Sequence, residues 1–506
     1  MWRSDEGNTV SYWQASEKGL KTGPLDVSVE VDVCIVGAGI AGLSTAYLLS
    51  KAGKAVAVLD DGAIGGGETS RTTAHLSNAL DDRIYRIEKW HGEDKARLAV
   101  ESHTAAIDEI ERIVAKENID CDYSRLDGYL IQAEDGEDDL DKEFESARKF
   151  TAIERVERAP VKSFDTGAAL KFPNQGQFHI LKYLAGLAGA IENNGGKLFS
   201  NTRVVEWSGG DSPRVKTQSG LKVGAASIVL ATNYPLMSKM FAKLPAYRTY
   251  AIGARVAKGA VEKVLLWDTG DPYHYVRIQE ENDHDVLIVG GEDHRTGQAN
   301  DGDERFARLW EWTKAHFPAV EKVLYQWSGQ FCETHDGLAF IGRFSGGEPN
   351  VYLITGDSGM GMTHGTIGGM LVSDLILGRE NPWAEVYEPT RILTQSITEA
   401  VPEIIDSTVP YVDWIKGGDV SSAESIENGT GAIISRGVEK IAAYRDENGK
   451  LHERSAVCTH MGCIVRFNKL EKTWDCPCHG SRFGTDGHPI NTPAITELRE
   501  LNKESS

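Results

Sequence analysis

The sequence is short of positive charge and contains no long apolar run. Its 506 residues include 54 Lys and Arg against 75 Asp and Glu, a formal net charge of -21. Nucleic-acid-binding surfaces neutralise phosphates with clustered basic side chains, so this composition predicts no nucleic-acid partner. No segment supplies the ~20 consecutive apolar residues of a membrane helix, and the N-terminus lacks the pattern of a secretory signal. We therefore expect a cytoplasmic protein without a membrane span.

Cysteine is scarce as well, and it is unevenly distributed. Three of the seven cysteines stand alone, at Cys34, Cys121 and Cys332. Isolated cysteines in a long chain do not have the spacing of a disulfide scaffold. The other four lie together within residues 458–478, and they need a common explanation.

This cysteine-rich segment consists of two blocks that each supply a thiolate and an imidazole. The blocks are Cys458-Thr-His460 and Cys476-Pro-Cys478-His479. Zinc is one candidate, because two Cys and two His commonly hold it in a tetrahedral site. Zinc sites, however, usually group the two cysteines apart from the two histidines. A two-iron cluster, with two thiolates on one iron and two imidazoles on the other, accounts better for the mixed blocks.

The pattern Cys-x-His-x15-Cys-x2-His resembles that of the Rieske [2Fe-2S] domain, and "CTHMGC" and "CPCHGS" are close to its form in cytochrome bc complexes. The resemblance implies a small all-β domain at 423–506. The ligands that it implies are Cys458, His460, Cys476 and His479. It also implies a disulfide between Cys463 and Cys478 that ties the two cluster-binding loops together. The segment "HPINTPA", with Pro489 and Pro493, fits a loop that closes over the cluster.

A second motif lies near the N-terminus, in "DVCIVGAGIAGLSTAYLLSKAGKAVAVLD" at 32–60. The pattern predicts a strand, a glycine turn, an amphipathic helix and another strand. The three glycines form a GxGxxG fingerprint that brings a pyrophosphate to the helix N-terminus. The carboxylate at the end of the second strand would accept hydrogen bonds from a ribose diol. The cofactor contacts predicted here are Gly37, Gly39, Ile40, Ala41, Gly42 and Asp60.

The choice between FAD and NAD depends on the number of such fingerprints. Flavoprotein reductases that use NAD(P)H need a second one, and the chain has only this one. The second strand leads instead into "ETSRTTAHLS" at 68–77, where hydroxyl groups and one guanidinium suit phosphate contacts. We therefore expect FAD, with contacts at Arg71, Thr72 and Thr73.

These elements, followed by "LATNYP" at 230–235 and "TGDSGMGMTHG" at 355–365, resemble the D-amino-acid oxidase-like FAD oxidoreductases over residues 30–395. That group contains glycine, sarcosine and dimethylglycine oxidases and dehydrogenases. The resemblance implies FAD contacts at Val204, Ala231, Gly359, Met360, Gly361, Met362 and Thr363. His75 falls where dimethylglycine and sarcosine dehydrogenases bind flavin covalently. Either a covalent link or an ordinary hydrogen-bonding role is expected for it.

The resemblances together imply an α/β protein with a Rossmann-like FAD-binding domain, an inserted α+β substrate domain and a small all-β Rieske domain. The predicted parts are an N-terminal extension (1–29), FAD-binding segments (30–80, 166–235 and 331–395), substrate segments (81–165 and 236–330), a linker (396–422) and the Rieske domain (423–506).

The predicted substrate domain contains "PYHYVRIQ" at 272–279 and "DVLIVGGEDHRTG" at 285–297, which indicate an antiparallel pair of strands. By the family resemblance this sheet covers the substrate face of the flavin. Arg277 would then hold a carboxylate and Tyr275 would orient an amine. With His274 on the other face of the strand, these three are the candidate catalytic residues.

Two redox centres on one chain predict a dehydrogenase. It would oxidise the C–N bond of a small amine or amino acid through FAD and pass the electrons singly through a Rieske [2Fe-2S] cluster to an external one-electron partner. One alternative is an electron-transfer or redox-sensing protein without an organic substrate. Another is a reductase that takes electrons from a ferredoxin through the cluster.

Overall fold

The computed structural model describes residues 7–20, 22–133, 139–234, 244–344, 346, 348–391 and 409–501. Within these ranges the chain forms two large β-sheets that pack against helices and two small antiparallel sheets near the C-terminus. No helix in the described part of the chain is long and apolar enough to cross a membrane. Residues 396–408 of the predicted linker lie outside the described residues.

The first sheet is the α/β sheet that the glycine fingerprint predicts. Its strands are β1 (Val29–Val36), β2 (Val56–Leu59), β7 (Lys197–Phe199), β8 (Val204–Ser208), β9 (Arg214–Thr217), β10 (Lys222–Asn233), β16 (Phe340–Arg343) and β17 (Val351–Thr355). The order β16-β17-β10-β1-β2-β7 is parallel from β17 to β7. The second half of β1 and all of β2 are apolar and buried, as expected where a parallel sheet is covered on both faces.

The helices of this first part are α2 (Ile40–Lys51), α6 (Ile180–Asn193) and α8 (Gly361–Ile376). Helix α2 follows the glycine turn directly and packs between the other two. Because α2 follows β1 and α8 follows β17, and these strands run in the same direction, both helices begin at the same end of the sheet. Parallel strands commonly place a ligand at this end.

The second sheet belongs to the predicted substrate domain. Its strands are β3 (His75–Leu76), β4 (Ser124–Ile131), β5 (Glu154–Val156), β6 (Ala169–Gln177), β11 (Ala246–Val256), β12 (Leu265–Asp268), β13 (His274–Glu280), β14 (Asp285–Arg295) and β15 (Val320–Cys332). The predicted antiparallel pair is confirmed, since β13 pairs with β14. Strand β6 lies in a segment expected in the FAD-binding part, yet it pairs with β3, β4 and β5 here. The Gln177 side chain anchors β6 by donating to the Ile278 carbonyl at 2.8 Å.

The remaining helices are α1 (Tyr12–Ser16), α3 (Ile84–His91), α4 (Glu93–Glu117), α5 (Leu140–Ala147), α7 (Gly302–His316) and α9 (Ala384–Tyr387). Helix α1 lies in the predicted N-terminal extension and is fixed to the larger part. A capping box of Ser11 and Gln14 starts it. The fully buried Trp13 donates from Nε1 to the Thr72 carbonyl at 2.6 Å.

The C-terminal domain is built from two small antiparallel sheets, as predicted. The first contains β18 (Thr430–Arg436), β19 (Glu439–Arg445) and β20 (Leu451–Ser455), and the second contains β21 (Arg466–Asn468), β22 (Thr473–Asp475), β23 (Arg482–Gly484) and β24 (Pro489–Asn491). A short 3-10 helix, Val409–Trp414, precedes them.

Buried charges dock this domain on the two large sheets. Glu471, in the turn between β21 and β22, is 1% exposed and lies 3.6 Å from Arg71 and 4.0 Å from Arg248. Asp475 lies 3.7 Å from Arg248, and Arg482 lies 3.7 Å from Glu68. If one charge of a pair moved away, the other would stay buried without compensation. This cost favours the docked position of the domain.

Candidate functional site

One cavity of about 340 Å³ lies between the two large sheets and collects most of the predicted cofactor residues. Its wall includes Gly37, Gly39, Ile40, Ala41, Asp60, Arg71, Thr72, Thr73, His75, Val204, Ala231, Gly359, Met360, Gly361 and Met362. The fold thus brings together predicted cofactor residues from five separate segments of the sequence. Gly42 and Thr363 are the two predicted cofactor residues that are not part of this wall.

The glycine turn brings backbone close to backbone. Gly37 has φ +104°, and a Cβ there would collide with the Ala231 carbonyl. A Cβ on Gly42 would collide with the Gly37 carbonyl, so this glycine allows helix α2 to pack against the turn. Gly39 caps the helix without any side-chain hydrogen bond. At the start of α2 the Ile40 N–H donates to the Thr69 hydroxyl at 3.3 Å, and the N–H groups that follow it can donate to an anion in the cavity.

Asp60 closes this end of the cavity. Its carboxylate accepts the Ala38 N–H at 2.7 Å and the Gly62 N–H at 2.9 Å. Burial raises the pKa of Asp60 to about 6. These bonds fix the carboxylate beside the glycine turn, where it can accept hydroxyl groups of a ribose.

A second helix N-terminus points into the cavity from α8. Met360 is its N-cap residue, again without a side-chain cap, and Gly359, Gly361 and Met362 line the wall beside it. Thr363 lies behind the wall, where its hydroxyl is 2.8 Å from His103 Nδ1. The backbone N–H groups at the start of α8 and the positive end of its helix dipole can stabilise negative charge that develops on a bound flavin.

The segment at 68–77 contributes its backbone and hydroxyl groups more than its guanidinium. Arg71 donates to the Ser328 carbonyl at 2.7 Å and to the Thr9 carbonyl at 3.0 Å. It also lies in the ion pair with Glu471 described above. This geometry does not support the phosphate contact expected of Arg71, because its charge is directed to the domain interface.

His75 lies in the cavity wall with both ring nitrogens engaged. Nδ1 is 3.1 Å from the Thr73 hydroxyl, and Nε2 is 3.3 Å from the Val276 carbonyl. Burial lowers the pKa of His75 to about 3, so the ring is neutral. These contacts agree with the hydrogen-bonding role, and the covalent link to flavin stays a prediction.

The three candidate catalytic residues separate in space. Tyr275 lines the cavity, and its hydroxyl is 2.8 Å from the Thr249 hydroxyl. Arg277 has no exposed surface and donates to the carbonyls of Ala74 at 2.9 Å and Phe178 at 3.1 Å. It is not in the cavity wall, so the structure does not support its expected contact with a substrate carboxylate. Burial lowers the pKa of Arg277 to about 9.

His274 also lies away from the cavity. Its Nδ1 is 3.0 Å from Asp268 Oδ2, and its ring stacks on Trp312 with a centroid distance of 4.2 Å. A histidine that is paired and stacked on the outer face of β13 has a structural role. The expectation of a catalytic role for His274 is corrected accordingly.

Sequence reasoning missed three half-buried carboxylates around the cavity. Asp81 and Asp357 line its wall, and burial raises the pKa of Asp81 and raises that of Asp357 to about 7. Asp293, which interacts with the cavity residues Thr249 and Tyr273, has its pKa raised by burial to about 7. They come from three distant segments with no shared motif, so only the fold reveals them.

The four predicted cluster ligands converge in the C-terminal domain on two similar loops. The Cys458 carbonyl accepts the Gly462 N–H at 3.0 Å and the Cys476 carbonyl accepts the Gly480 N–H at 3.0 Å, and both glycines have positive φ. The rings of His460 and His479 lie 5.0 Å apart at 85°. The Nδ1 atom of His460 is buried without a hydrogen-bond partner among the described residues.

The cysteines divide between ligation and a disulfide. Cys463 and Cys478 form the expected disulfide, whereas Cys458 and Cys476 are free. A hydrogen bond from Cys476 lowers the pKa of Cys458 to about 7. The sulfurs of Cys463, Cys476 and Cys478 also lie within 4.8 Å of one another. Two of these are consumed in the disulfide, so the mixed Cys and His set is the donor set that fits a Rieske cluster.

The second cluster loop packs directly on the cavity wall. Gln330, which lines the cavity, donates from Nε2 to the Gly480 carbonyl at 3.0 Å. Gly480 adjoins the predicted ligand His479, and a Cβ there would collide with Ala246. On the other side of the loop, Gln298 donates to the Pro477 carbonyl at 3.4 Å. One side chain therefore spans from the flavin cavity to the cluster loop.

The segment "HPINTPA" contacts a cluster-binding loop as well as the cavity. The Ala494 N–H donates to the Ser481 hydroxyl at 3.1 Å, and Ala494 packs in one apolar cluster with Cys458 and Cys476. Closure of this segment over the cluster stays a prediction. The segment lines the cavity through residues from Pro489 to Ile495 and lies opposite the glycine turn. The expected loop is in part a strand, since Pro489–Asn491 form β24, and no local pattern predicts that this segment also lines the cavity.

Comparisons with known proteins agree with both sites. A family model described as FAD dependent oxidoreductase matches residues 32–375. The chain belongs to this family. A second model, the Rieske [2Fe-2S] domain, matches residues 417–502. The protein is therefore a FAD-dependent oxidoreductase with a C-terminal Rieske domain, and its cofactors are FAD and a [2Fe-2S] cluster.

Individual relatives match either nearly the whole chain or about three quarters of it. A putative Rieske 2Fe-2S iron-sulfur protein, YhfW, of Bacillus subtilis (strain 168) is 31% identical over 97% of both chains. Gamma-glutamylputrescine oxidoreductase of Escherichia coli (strain K12) is 28% identical over 73% of this chain and 89% of its own. The structure of glycine oxidase from Geobacillus kaustophilus superposes with a TM-score of 0.59 at 19% identity, over 72% of this chain and 99% of its own.

Proposed function

We propose that the protein is a dehydrogenase that oxidises the C–N bond of a small amine or amino acid and delivers the electrons through the Rieske domain to an external one-electron acceptor. Bound FAD supplies two-electron hydride chemistry, and the cluster supplies one-electron transfer. The observation that carries the proposal is Gln330, which lies in the wall of the flavin cavity and also donates to the second cluster loop.

The substrate side of the cavity is aromatic and acidic. Trp267, Tyr273 and Tyr275 line it, together with Asp81. Arg83 is also in the wall, but its guanidinium donates to the backbone carbonyls of Asp81 and Asp268, both at 3.0 Å. Aromatic faces and carboxylates attract a protonated amine. These residues therefore favour an amine group over a carboxylate as the part of the substrate that they hold.

The raised pKa values give the carboxylates a second use. An amine must lose its ammonium proton before hydride leaves the adjacent carbon. A carboxylate with a pKa near 7, as burial gives Asp357, can accept a proton at neutral pH. The name of one relative, gamma-glutamylputrescine oxidoreductase, also supports an amine substrate.

Anaerobic titration with a panel of secondary and tertiary amines and amino acids tests the proposal. We expect at least one compound to bleach the flavin absorbance and then the cluster absorbance without any added reductant. If none does so, the protein transfers electrons without an organic substrate. If only reduced ferredoxin reduces the flavin, electrons flow in the opposite direction.

A further inference from the structure

We propose that the Rieske domain completes the FAD site: its segment 489–495, here called the closing segment, covers the cavity, and FAD exchanges with solution only when this domain leaves its docked position. The inference goes beyond the proposed function and holds whatever the substrate is.

The closing segment forms part of the cavity wall itself. It contributes Pro489, Ile490, Asn491, Thr492, Ala494 and Ile495 to the same cavity that the glycine turn and Asp60 line. A dinucleotide that fills this cavity must therefore contact both domains.

Hydrogen bonds join the closing segment to the walls around the fingerprint. Arg203 donates to the Pro489 carbonyl at 2.7 Å, and Asn491 donates to Glu68 at 3.1 Å. The Thr492 hydroxyl lies 3.1 Å from the Tyr234 carbonyl and 3.4 Å from the Thr232 carbonyl.

These contacts surround the predicted cofactor residues. Arg203 is next to Val204 in the wall and pairs with Asp61 at 2.9 Å, beside Asp60. Thr232 follows Ala231, whose carbonyl lies against Gly37. The closing segment therefore bridges the first sheet from the ribose side to the glycine turn.

The segment is also held firmly from within its own domain. Pro489 and Pro493 restrict the backbone. Strand β24 pairs with β23, and the Ala494 N–H donates to the Ser481 hydroxyl at 3.1 Å. It cannot fold away from the cavity by itself, so opening requires the whole domain to move.

Removal of the bonds from the closing segment tests the proposal on the full-length holoprotein. The double variant Asn491→Ala/Thr492→Val loses the contacts with Glu68, Thr232 and Tyr234, and also the bond of 2.9 Å from Arg482 to Asn491 within the Rieske domain. We expect FAD release, measured by the rise in free-flavin fluorescence after dilution, to be about tenfold faster, which corresponds to about 1.4 kcal/mol. Thr430→Val is the matched control, because its hydroxyl donates to the Glu427 carbonyl at 2.8 Å on an exposed turn. Equal release rates in all three proteins would overturn the proposal.

A second measurement needs no variant. Binding coupling is reciprocal, so FAD must stabilise the docked position of the closing segment if the segment holds FAD. We expect hydrogen exchange in peptides that cover 488–496 to slow on addition of FAD to the FAD-depleted protein, with no change in the β18–β19 hairpin. If hydrogen exchange at 488–496 does not depend on FAD, the proposal is wrong. This measurement uses the natural protein, so it stays valid even if the double variant loses the absorbance spectrum of its cluster.

Discussion

The two cluster loops each supply one Cys and one His on a similar backbone turn, but their surroundings are opposite. In the first loop, the tip residue Met461 is 43% exposed and Thr459 and His460 are not buried. In the second loop every residue from Cys476 to Ser481 is buried. The first loop contacts the short helix before the domain, through Tyr411 and Trp414, and the second contacts the flavin cavity through Gln330.

This difference suggests a direction for the electrons. The second loop is fixed against the larger part, so it is suited to receive electrons from the flavin site. The first loop has an exposed surface that a soluble partner can approach. Under the proposed function, the second loop would be the entry for electrons and the first loop the exit.

Both loops should be needed to bind the cluster. Removal of a cluster ligand from either loop has the largest expected effect. Cys458→Ser and Cys476→Ser should each abolish the Rieske EPR signal, because each supplies one of the two thiolates. FAD absorbance should remain in both variants. The matched control is Cys332→Ser, a buried cysteine in the cavity wall that should keep the cluster. A normal EPR signal in Cys476→Ser would refute the ligand assignment.

The second loop should be anchored far more strongly than the first, and Glu471 tests this. Glu471→Gln leaves the buried Arg71 without this counter-charge and leaves Arg248 with Asp475 alone, so we expect a loss of about 3–5 kcal/mol in the free energy of unfolding. Thermal or denaturant unfolding measures it. Glu447→Gln is the control, since its ion pair with Lys472 is exposed and should change stability by less than ~1 kcal/mol. If both variants lose the same free energy of unfolding, the buried ion pairs of Glu471 do not anchor the domain.

The same anchor should depend on pH. Burial alone would raise the pKa of Glu471, but Arg71, Arg248 and Arg482 lower it to about 2 from an ordinary value of 4.5. Because the folded-state pKa is below the unfolded one, its stabilisation is present above pH 4.5 and is lost as the pH falls towards 2. The full change is about 3 kcal/mol. Melting temperatures between these pH values should fall less steeply in Glu471→Gln than in the natural protein.

The bridge between cavity and cluster loop can be broken at one side chain. Gln330→Leu removes the hydrogen bond to Gly480 and should slow cluster reduction by the flavin about tenfold, a factor that corresponds to about 1.4 kcal/mol. Stopped-flow absorbance after mixing with substrate measures the rate. Gln326→Leu, an exposed position on the same strand, should leave it unchanged. If the cluster of Gln330→Leu is reduced as fast as that of the natural protein, Gln330 is not part of the electron-transfer route.

The smallest effect is expected at the exposed loop. Trp414→Phe removes a hydrogen bond of 2.9 Å to the Gly462 carbonyl and should cost at most about 1 kcal/mol. We expect cluster reduction by the flavin to remain normal, while reoxidation by an external acceptor changes. The opposite pattern would reverse the assignment of entry and exit.

Features that are contiguous in the chain were predictable, and features assembled by the fold were not. The glycine turn, the two ligand blocks and the β13–β14 pair each lie in a short segment with its own physical signature. Asp81, Asp357 and Gln330 come from separate elements and carry no local signature. Their roles depend on burial and on neighbours that only the tertiary structure supplies.

Arg277 shows how a correct local pattern can still mislead. The period of two placed it on the same side of β13 as Tyr275. The cavity ends at Tyr275, however, and two residues further along the strand the carbonyls of Thr73 and Ala74 occupy the space. Arg277 therefore supports the segment that carries His75 and does not face a substrate.

The central claim is that electrons from the flavin cavity reach the cluster inside one chain, and EPR after anaerobic reduction by substrate tests it most directly. We predict that an amine which bleaches the flavin also produces the Rieske signal in the same molecules, without mediator and independently of protein concentration. A bleached flavin beside a cluster that stays oxidised and EPR-silent would contradict the account.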